Sequence, residues 1–571
     1  MSARFLRRWG FLIRICPEMT PEPEAADPDH AEPETVGATS RRKMGAGLWL
    51  RLGAGLAALV LGAAAAAAHP PFGFLIGILA YPALMLLTER TRTTRGAFGV
   101  GWLAGFAYFF ISCWWVAEAF LVNAEAHAWM APFAASLLPA GLALFWGAAF
   151  AIYRRFHLTG HPLRPLLFAF VFCAFEWLRG TVLTGFPWNP AGAAWGAGSA
   201  ASQFAAVAGI YGLSLVTVAG ASLIGPLFGP GRLKTRIGAA VLGALMIGAM
   251  VIGGAYRLSA ARIEASETTV RIVQADVEQQ AKWDAANFDA IVQRYVNLSA
   301  RPGAQTPDVI VWPEGALPTT ANEAFAAESP VASAMARAVQ PGQTLLAGFS
   351  RAEPTPEGEW RYFNSLYALS DAGEAGLRIE AIYDKHRLVP FGEYLPLGDL
   401  MSWTGLRSLV HVPADFSAGP TPAPLSLSGL PNVQPLICYE SLYPGFTPGG
   451  EARPAWIANV SNDAWFGRTS GPVQHLNLAS FRAIETGLPM VRSTPTGISA
   501  LIDPWGRVVP GKRLEPGESG VIDARLPRPL DRTPYAIGGD LIFLGMMLAA
   551  LGGGLWPFRS RISRARSLSA N

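Results

Sequence analysis

A thiol, a carboxylate and an ammonium stand in three short runs of this chain. Cys438 lies in Pro435-Leu436-Ile437-Cys438-Tyr439-Glu440-Ser441, Glu314 in Trp312-Pro313-Glu314-Gly315, and Lys385 in Tyr383-Asp384-Lys385-His386. A carboxylate can take the proton of a thiol, a thiolate can carry an acyl group, and an ammonium can neutralise the oxyanion of a tetrahedral intermediate. Covalent acyl chemistry is therefore within reach of these residue types. Taken singly each has a bland reading: a core cysteine, a loop glutamate, a solvated lysine.

The elements around them sharpen the reading. Cys438 ends the run Val433-Gln434-Pro435-Leu436-Ile437, where a strand-to-helix elbow would expose sulfur beside backbone N–H donors. Glu314 follows the β-rich Asp308-Val309-Ile310-Val311-Trp312 and a proline. Lys385 precedes the apolar and aromatic Leu388-Val389-Pro390-Phe391-Gly392-Glu393-Tyr394, a setting in which an ammonium needs a carboxylate partner. Further β-rich runs at 270–274, 344–348 and 456–460 alternate with helical patterns at 322–339 and 473–487. Ser370-Asp371-Ala372-Gly373 and Asp503-Pro504-Trp505-Gly506 read as hairpin turns, so the polar stretch 269–528 is expected to form an α/β sandwich with mixed sheets and helices packed on them.

That stretch is enclosed by apolar sequence. With 51% hydrophobic and only 15% charged residues, the chain falls outside ordinary soluble composition and reads as an integral membrane protein. Seven apolar segments precede the polar stretch, at 46–68, 71–88, 98–121, 129–152, 164–180, 200–229 and 236–256, and an eighth follows at 535–556. Together they predict about eight transmembrane helices, and the first reads as a span rather than a cleaved signal peptide. Arg41-Arg42-Lys43, Arg90, Arg92 and Arg95, Arg154-Arg155, and Arg232, Lys234 and Arg236 fall in every second loop. By the positive-inside rule both termini are cytoplasmic and the 269–528 domain faces outward, which in a bacterium is the periplasmic face of the inner membrane. Residues 1–45 read as a disordered tail and 557–571 as a basic cytoplasmic one. A net charge of +4 without a basic stripe gives no support to nucleic-acid binding.

Of the four cysteines, Cys438 alone lies in the outward domain, so it has no disulfide partner there. The cysteines lack metal-ligand spacing and the eight histidines form no paired ligand motif, so no metal or diffusible cofactor is implied. Glu176 and Arg179 have the spacing of an i,i+3 ion pair. Trp114, Trp115, Trp177, Trp188 and Trp195 have the placement of an interfacial aromatic belt.

These motifs together resemble the nitrilase superfamily, and flanked by apolar spans they resemble its membrane-integrated branch, the apolipoprotein N-acyltransferases. The resemblance runs over roughly 45–556 and rests on Trp312-Pro313-Glu314, the 383–396 run from Tyr383 through Gly392-Glu393-Tyr394, Ile437-Cys438-Tyr439-Glu440, and Asn459-Val460-Ser461-Asn462-Asp463-Ala464-Trp465-Phe466-Gly467. It implies a nitrilase-like αββα sandwich that moves an acyl chain from a membrane phospholipid, through a cysteine thioester, to the α-amine of a diacylglyceryl-cysteine on an apolipoprotein. In that scheme Cys438 is the nucleophile, Glu314 the base and Lys385 the oxyanion cation, with the Tyr439 backbone N–H as second donor. Glu393, Tyr439 and Glu440 match supporting positions, Trp283 matches an aromatic residue of the substrate entrance, and Phe186-Pro187-Trp188-Asn189-Pro190 is suggested as lining for a lipid portal. Gly487-Leu488-Pro489 and Pro495-Thr496-Gly497 depart from the family's polar pattern without touching the triad. A membrane-anchored amidase using water as acceptor and a non-enzymatic transporter or sensor are the readings this one competes with. The number of spans speaks against the first and the triad against the second.

Overall fold

The computed structural model describes residues 36–396, 415–450 and 453–568. Two compact units are distinguished, 1–52 and 53–571. In the first, the described residues form the opening turns of helix α1 (Val36–Ala67), which starts ahead of the expected boundary at 46. Residues 1–35 of the expected tail, Cys16 among them, lie outside the described residues.

In the second unit the apolar segments become α2 (Ala80–Glu89), α3 (Thr94–Cys113), α4 (Ala131–Phe156), α5 (Arg164–Arg179), α6 (Ala205–Ser222) and α7 (Leu233–Ser259). Among the described residues four stretches, Thr94–Phe120, Ala124–Phe156, Ala201–Phe228 and Leu233–Ser259, are long and apolar enough to cross a membrane. The segments at Arg51–Ala67, Leu75–Glu89 and Leu541–Trp556 are shorter apolar helices. The segment expected at 164–180 is the 16-residue α5, whose first residue, Arg164, is buried on Glu89 at 2.6 Å. Helix α6 is broken where Gly209 takes φ +69°.

The described residues after α7 form two sheets. The first has the order β11 (Gly520–Pro527), β1 (Ala265–Gln274), β2 (Val309–Val311), β3 (Thr344–Pro354), β4 (Trp360–Asp371) and β5 (Leu377–Asp384). The second has the order β10 (Val508–Leu514), β9 (Ser499–Ile502), β8 (Met490–Ser493), β7 (Trp456–Val460) and β6 (Val433–Ile437). Each sheet mixes parallel pairs, β1 with β2 and β6 with β7, with antiparallel hairpins at β4–β5 and β9–β10, as the two turn sequences predict. Val270, Val311 and Leu366 of one sheet meet Ile437, Trp456 and Val491 of the other in a dry layer. The outer face of the first sheet is covered by α8 (Phe288–Ser299) and α9 (Pro330–Ala336), and that of the second by α10 (Gly471–Thr486). Burial of both faces explains why the strands read as continuous apolar runs. The layering is the expected αββα sandwich. The helical pattern at 322–339 divides into Ala321–Ala324 and α9.

The helical bundle and the sandwich share one core. Tyr439, Leu442 and Tyr443, beside the candidate nucleophile, and Phe481 and Ile484 of α10 pack into the same apolar cluster as Trp146, Phe172 and Tyr211 of the bundle. The chain returns through Pro534–Gly538 to α11 (Leu541–Leu568), so the segment expected as a basic tail is helical up to Leu568.

Candidate active site

Glu314, Lys385 and Cys438 all lie just beyond the carboxyl ends of strands, after β2, β5 and β6. Strand β3 passes directly behind Glu314. A Cβ on Gly348 would sit 2.6 Å from the Pro313 carbonyl, so only glycine allows that approach. Lys385 Nζ donates to Glu314 Oε1 at 3.2 Å and to Glu393 Oε1 at 2.9 Å. Glu314, Lys385 and Glu393 are each at least nine-tenths buried. Burial alone would discharge the lysine, but the two carboxylates outweigh it and hold its pKa above the ordinary lysine range. The ammonium is thus fixed, as the sequence setting requires.

Two asparagines that the motif reading leaves without a role complete the cradle. Asn364 Nδ2 donates to Glu314 Oε1 at 2.6 Å and to Glu393 Oε1 at 2.7 Å. The backbone N–H of Asn462 donates to Glu314 Oε2 at 2.8 Å, and that of Val389 to Glu393 Oε2 at 2.8 Å. Asn364→Asp would place a third carboxylate where a donor now bridges two. We expect it to destabilise the fold by about 3 kcal/mol or more at neutral pH, because burying an unpaired charge costs several kcal/mol. The loss should shrink as pH falls to about 5 and a carboxylate takes up a proton, whereas Asn364→Ala should cost about 1–3 kcal/mol at either pH. Thermal melts of the detergent-solubilised variants check this.

A further buried cation, Lys282, donates to the Gly315 carbonyl. Burial brings its pKa down to about 8, against the pull of Glu314. Its Nζ lies 5.4 Å from the ring centroid of Trp283, which is 46% exposed at the end of the Gln279–Lys282 turn. Trp283 is therefore half exposed beside a lysine that reaches the Gly315 carbonyl, next to Glu314.

Cys438 has φ +48° and opens a 3-10 turn over Cys438–Leu442, a left-handed geometry that L-residues adopt only where surroundings impose it. Ser441 Oγ donates to its carbonyl at 2.8 Å, and His475 Nε2 of α10 lies 3.2 Å from the same oxygen. Burial and the Glu314 carboxylate push the thiol pKa up, and Lys385 only partly offsets them. The resting sulfur is therefore a thiol, not the thiolate that proximity to a lysine alone suggests. Glu440, two residues on, is fully buried, with Oε2 accepting from Ile437 N at 2.8 Å. Its Oε1 accepts from His386 N at 2.7 Å and from the Tyr383 hydroxyl at 3.0 Å. Burial raises its pKa to about 7, with the Ile437 N–H and Lys385 opposing. It pins the Cys438 turn to the Lys385 loop.

The Tyr439 hydroxyl donates to Gly185 O at 2.5 Å, and Tyr443 to the same carbonyl at 2.9 Å. This ties the Cys438 turn to the 183–191 loop of the helical bundle. Two sequence expectations change here. Glu176 and Arg179 do not pair with each other: Arg179 Nη1 donates to Phe186 O at 2.5 Å and to Trp188 O at 2.9 Å, while Glu176 Oε1 accepts from Ala191 N at 3.0 Å. A loop with Leu183, Thr184 and Asn189 at positive φ carries backbone groups that no regular helix satisfies, and it takes both side chains. Trp115 and Trp188 are not belt residues either. Both are buried, 4.5 Å apart between ring centroids, and Trp188 Nε1 donates to Gln474 of α10.

Two facing mixed sheets with a carboxylate, an ammonium and a strained thiol at their strand ends, fused to an apolar helical bundle, define a carbon-nitrogen hydrolase domain on a membrane scaffold. Family models agree: residues 61–223 match the apolipoprotein N-acyltransferase N-terminal domain and 269–532 match the carbon-nitrogen hydrolase model. The chain is 50% identical to the apolipoprotein N-acyltransferase of Caulobacter vibrioides, over 89% of this chain and 95% of that protein. It is 40% identical to the protein of the same name from Brucella melitensis, over 87% and 95%, and 37% identical to that of Rhodopseudomonas palustris, over 86% and 94%. The chain belongs to the apolipoprotein N-acyltransferase family.

Proposed function

We propose that this membrane protein transfers an acyl chain from a membrane phospholipid to the N-terminal α-amine of diacylglyceryl-cysteine on apolipoproteins, through a thioester on Cys438. The observation that carries the reading is the buried Glu314–Lys385–Glu393 cluster facing a cysteine whose turn is bonded to the helical bundle. A hydrolase of small soluble substrates has no use for that bond. An acyl donor that enters from the bilayer does.

Glu314 accepts the thiol proton as sulfur attacks the ester carbonyl. The oxyanion forms against Lys385 Nζ and the Tyr439 backbone N–H. Collapse breaks the ester C–O bond, Glu314 returns the proton to the leaving alkoxide, and a lysophospholipid departs. The acceptor amine then attacks the thioester, loses its proton to Glu314, and the thiol is regenerated as the amide forms. The domain arrangement that serves this chemistry is a helical membrane domain over 46–256, a catalytic domain over 269–528 on the periplasmic face of the bacterial inner membrane, and a closing span at 535–556. About eight spans with both termini cytoplasmic fit the distribution of arginine and lysine. Glu393 and Glu440 position the lysine and the nucleophile turn, and Trp283 sits where an entering chain would pass.

Purified protein in detergent, given a phospholipid with a labelled acyl chain, should acquire hydroxylamine-sensitive label on the Cys438 peptide. That label should chase onto a diacylated lipopeptide amine and be absent from Cys438→Ala. Absence of label on folded wild-type protein with every phospholipid tried would overturn the reading. Label lost to water rather than to the lipopeptide would make the protein a membrane-anchored hydrolase.

A further inference from the structure

The parallel register of β6 and β7 pairs Leu436 with Asn459 and Ile437 with Val460, so the next residues, Cys438 and Ser461, leave the sheet side by side. Ser461 is fully buried, and a hydrogen bond from its hydroxyl would lower the pKa of the neighbouring Cys438 thiol. In the resting state that hydroxyl donates to Asp463 Oδ1 at 2.8 Å. Asp463 is itself held: Arg492 Nη2 donates to Oδ2 at 2.7 Å, and His475 Nδ1 lies 2.9 Å from Oδ1. Burial opposes ionisation of Asp463, but Arg492 and His475 prevail and hold it well below the usual carboxylate range. The Asp463 carboxylate is thus an anchor and not an acceptor for the thiol proton.

We infer that Ser461 is a further catalytic residue, whose hydroxyl turns from Asp463 Oδ1 to the Cys438 sulfur as the thiol proton passes to Glu314. No proton is created or lost: the S–H bond breaks, the Glu314 carboxyl O–H forms, and the Ser461 O–H only changes its acceptor. Asp463 can release it because Arg492 and His475 remain. The same hydroxyl would stabilise the sulfur again as leaving group when the amine expels it from the thioester. The inference rests on the reading of Cys438 as the nucleophile, and it gives the 459–467 motif a chemical task beyond carrying the Asn462 N–H.

Threonine and valine at position 461 have nearly the same shape and differ in the hydroxyl, so the pair isolates it. The rate of alkylation of Cys438 by iodoacetamide, followed on the Cys438 peptide by mass spectrometry from about pH 6 to pH 10, reads the thiolate directly. Glu314, Lys385 and Asp463 face the sulfur, and His475 faces its carbonyl, in every variant alike. Ser461→Val should alkylate about 10-fold more slowly at fixed pH, with its profile displaced upward by about one pH unit, the size of one hydrogen bond to a charged group. Ser461→Thr should stay near wild type. Equal rates and profiles for the two variants would overturn the inference, as would a wild-type profile for Ser461→Ala, which serves if the branched residues fail to fold. Alkylation needs no acyl donor, so its outcome is separate from that of the thioester trap.

Discussion

Glu314→Gln should slow formation of the Cys438 thioester by about 10²- to 10⁴-fold, the range a positioned general base supplies. The thiol is held protonated by burial and by Glu314's own charge, so no pre-formed thiolate waits to attack. The proton must leave as the C–S bond forms, and Glu314 is the carboxylate placed to receive it. Glutamine also suits the cradle poorly: Asn364 Nδ2, Lys385 Nζ and Asn462 N all donate to the two carboxylate oxygens, and an amide NH₂ must oppose at least one of them. A stability loss of about 1–3 kcal/mol accompanies the kinetic one. Single-turnover labelling on protein shown to be folded separates the two effects. A labelling rate within about tenfold of wild type would remove Glu314 from the base role, since the lower end of the general-base range is about 10².

The parts of this site that were legible in sequence are those where residue type and strand end coincide. Glu314, Lys385 and Cys438 each follow a short β-rich run, and the sheets deliver them to one end of the sandwich. Asn364 is silent in the sequence because it sits inside β4, where an inward polar residue leaves no local signature. Its task appears only when the β3–β4–β5 pairing sets it behind two glutamates that are remote in sequence. Asn462 acts through its backbone N–H, which no side-chain pattern encodes. Hydropathy locates the apolar segments but not their form. Hydropathy does not register that Leu75–Leu79, Ala191–Trp195 and Ala201–Phe204 are 3-10 turns, that α6 breaks at Gly209, or that α5 carries charges satisfied by a loop. Those features follow from backbone groups seeking partners in an apolar interior, a tertiary matter.

Lys385→Met should abolish acyl transfer and also unsettle the fold, and the two losses have different causes that a second substitution can separate. Kinetically the variant lacks the cation facing the oxyanion, a loss of about 10²- to 10³-fold for one such donor. Thermodynamically it leaves Glu314 and Glu393, both bonded to one Asn364 amide, buried with no counter-charge between them. Removing one partner of a buried charge cluster costs about 3–5 kcal/mol. The fold can lessen that cost by protonating one carboxylate, whose pKa then rises above the unfolded glutamate value of about 4.3. A folded pKa above the unfolded one contributes stability that is complete below about pH 4.3 and lost as pH climbs through the folded value. The melting temperature of Lys385→Met should therefore fall more steeply than that of wild type between about pH 4.5 and pH 8, the span above the free glutamate value. Lys385→Met combined with Glu393→Gln removes one of the opposed charges, so it should regain most of the melting temperature while staying inactive. Recovery of thioester formation along with stability would show that the lysine serves the fold alone, and that the oxyanion is met by backbone N–H groups at the Cys438 turn.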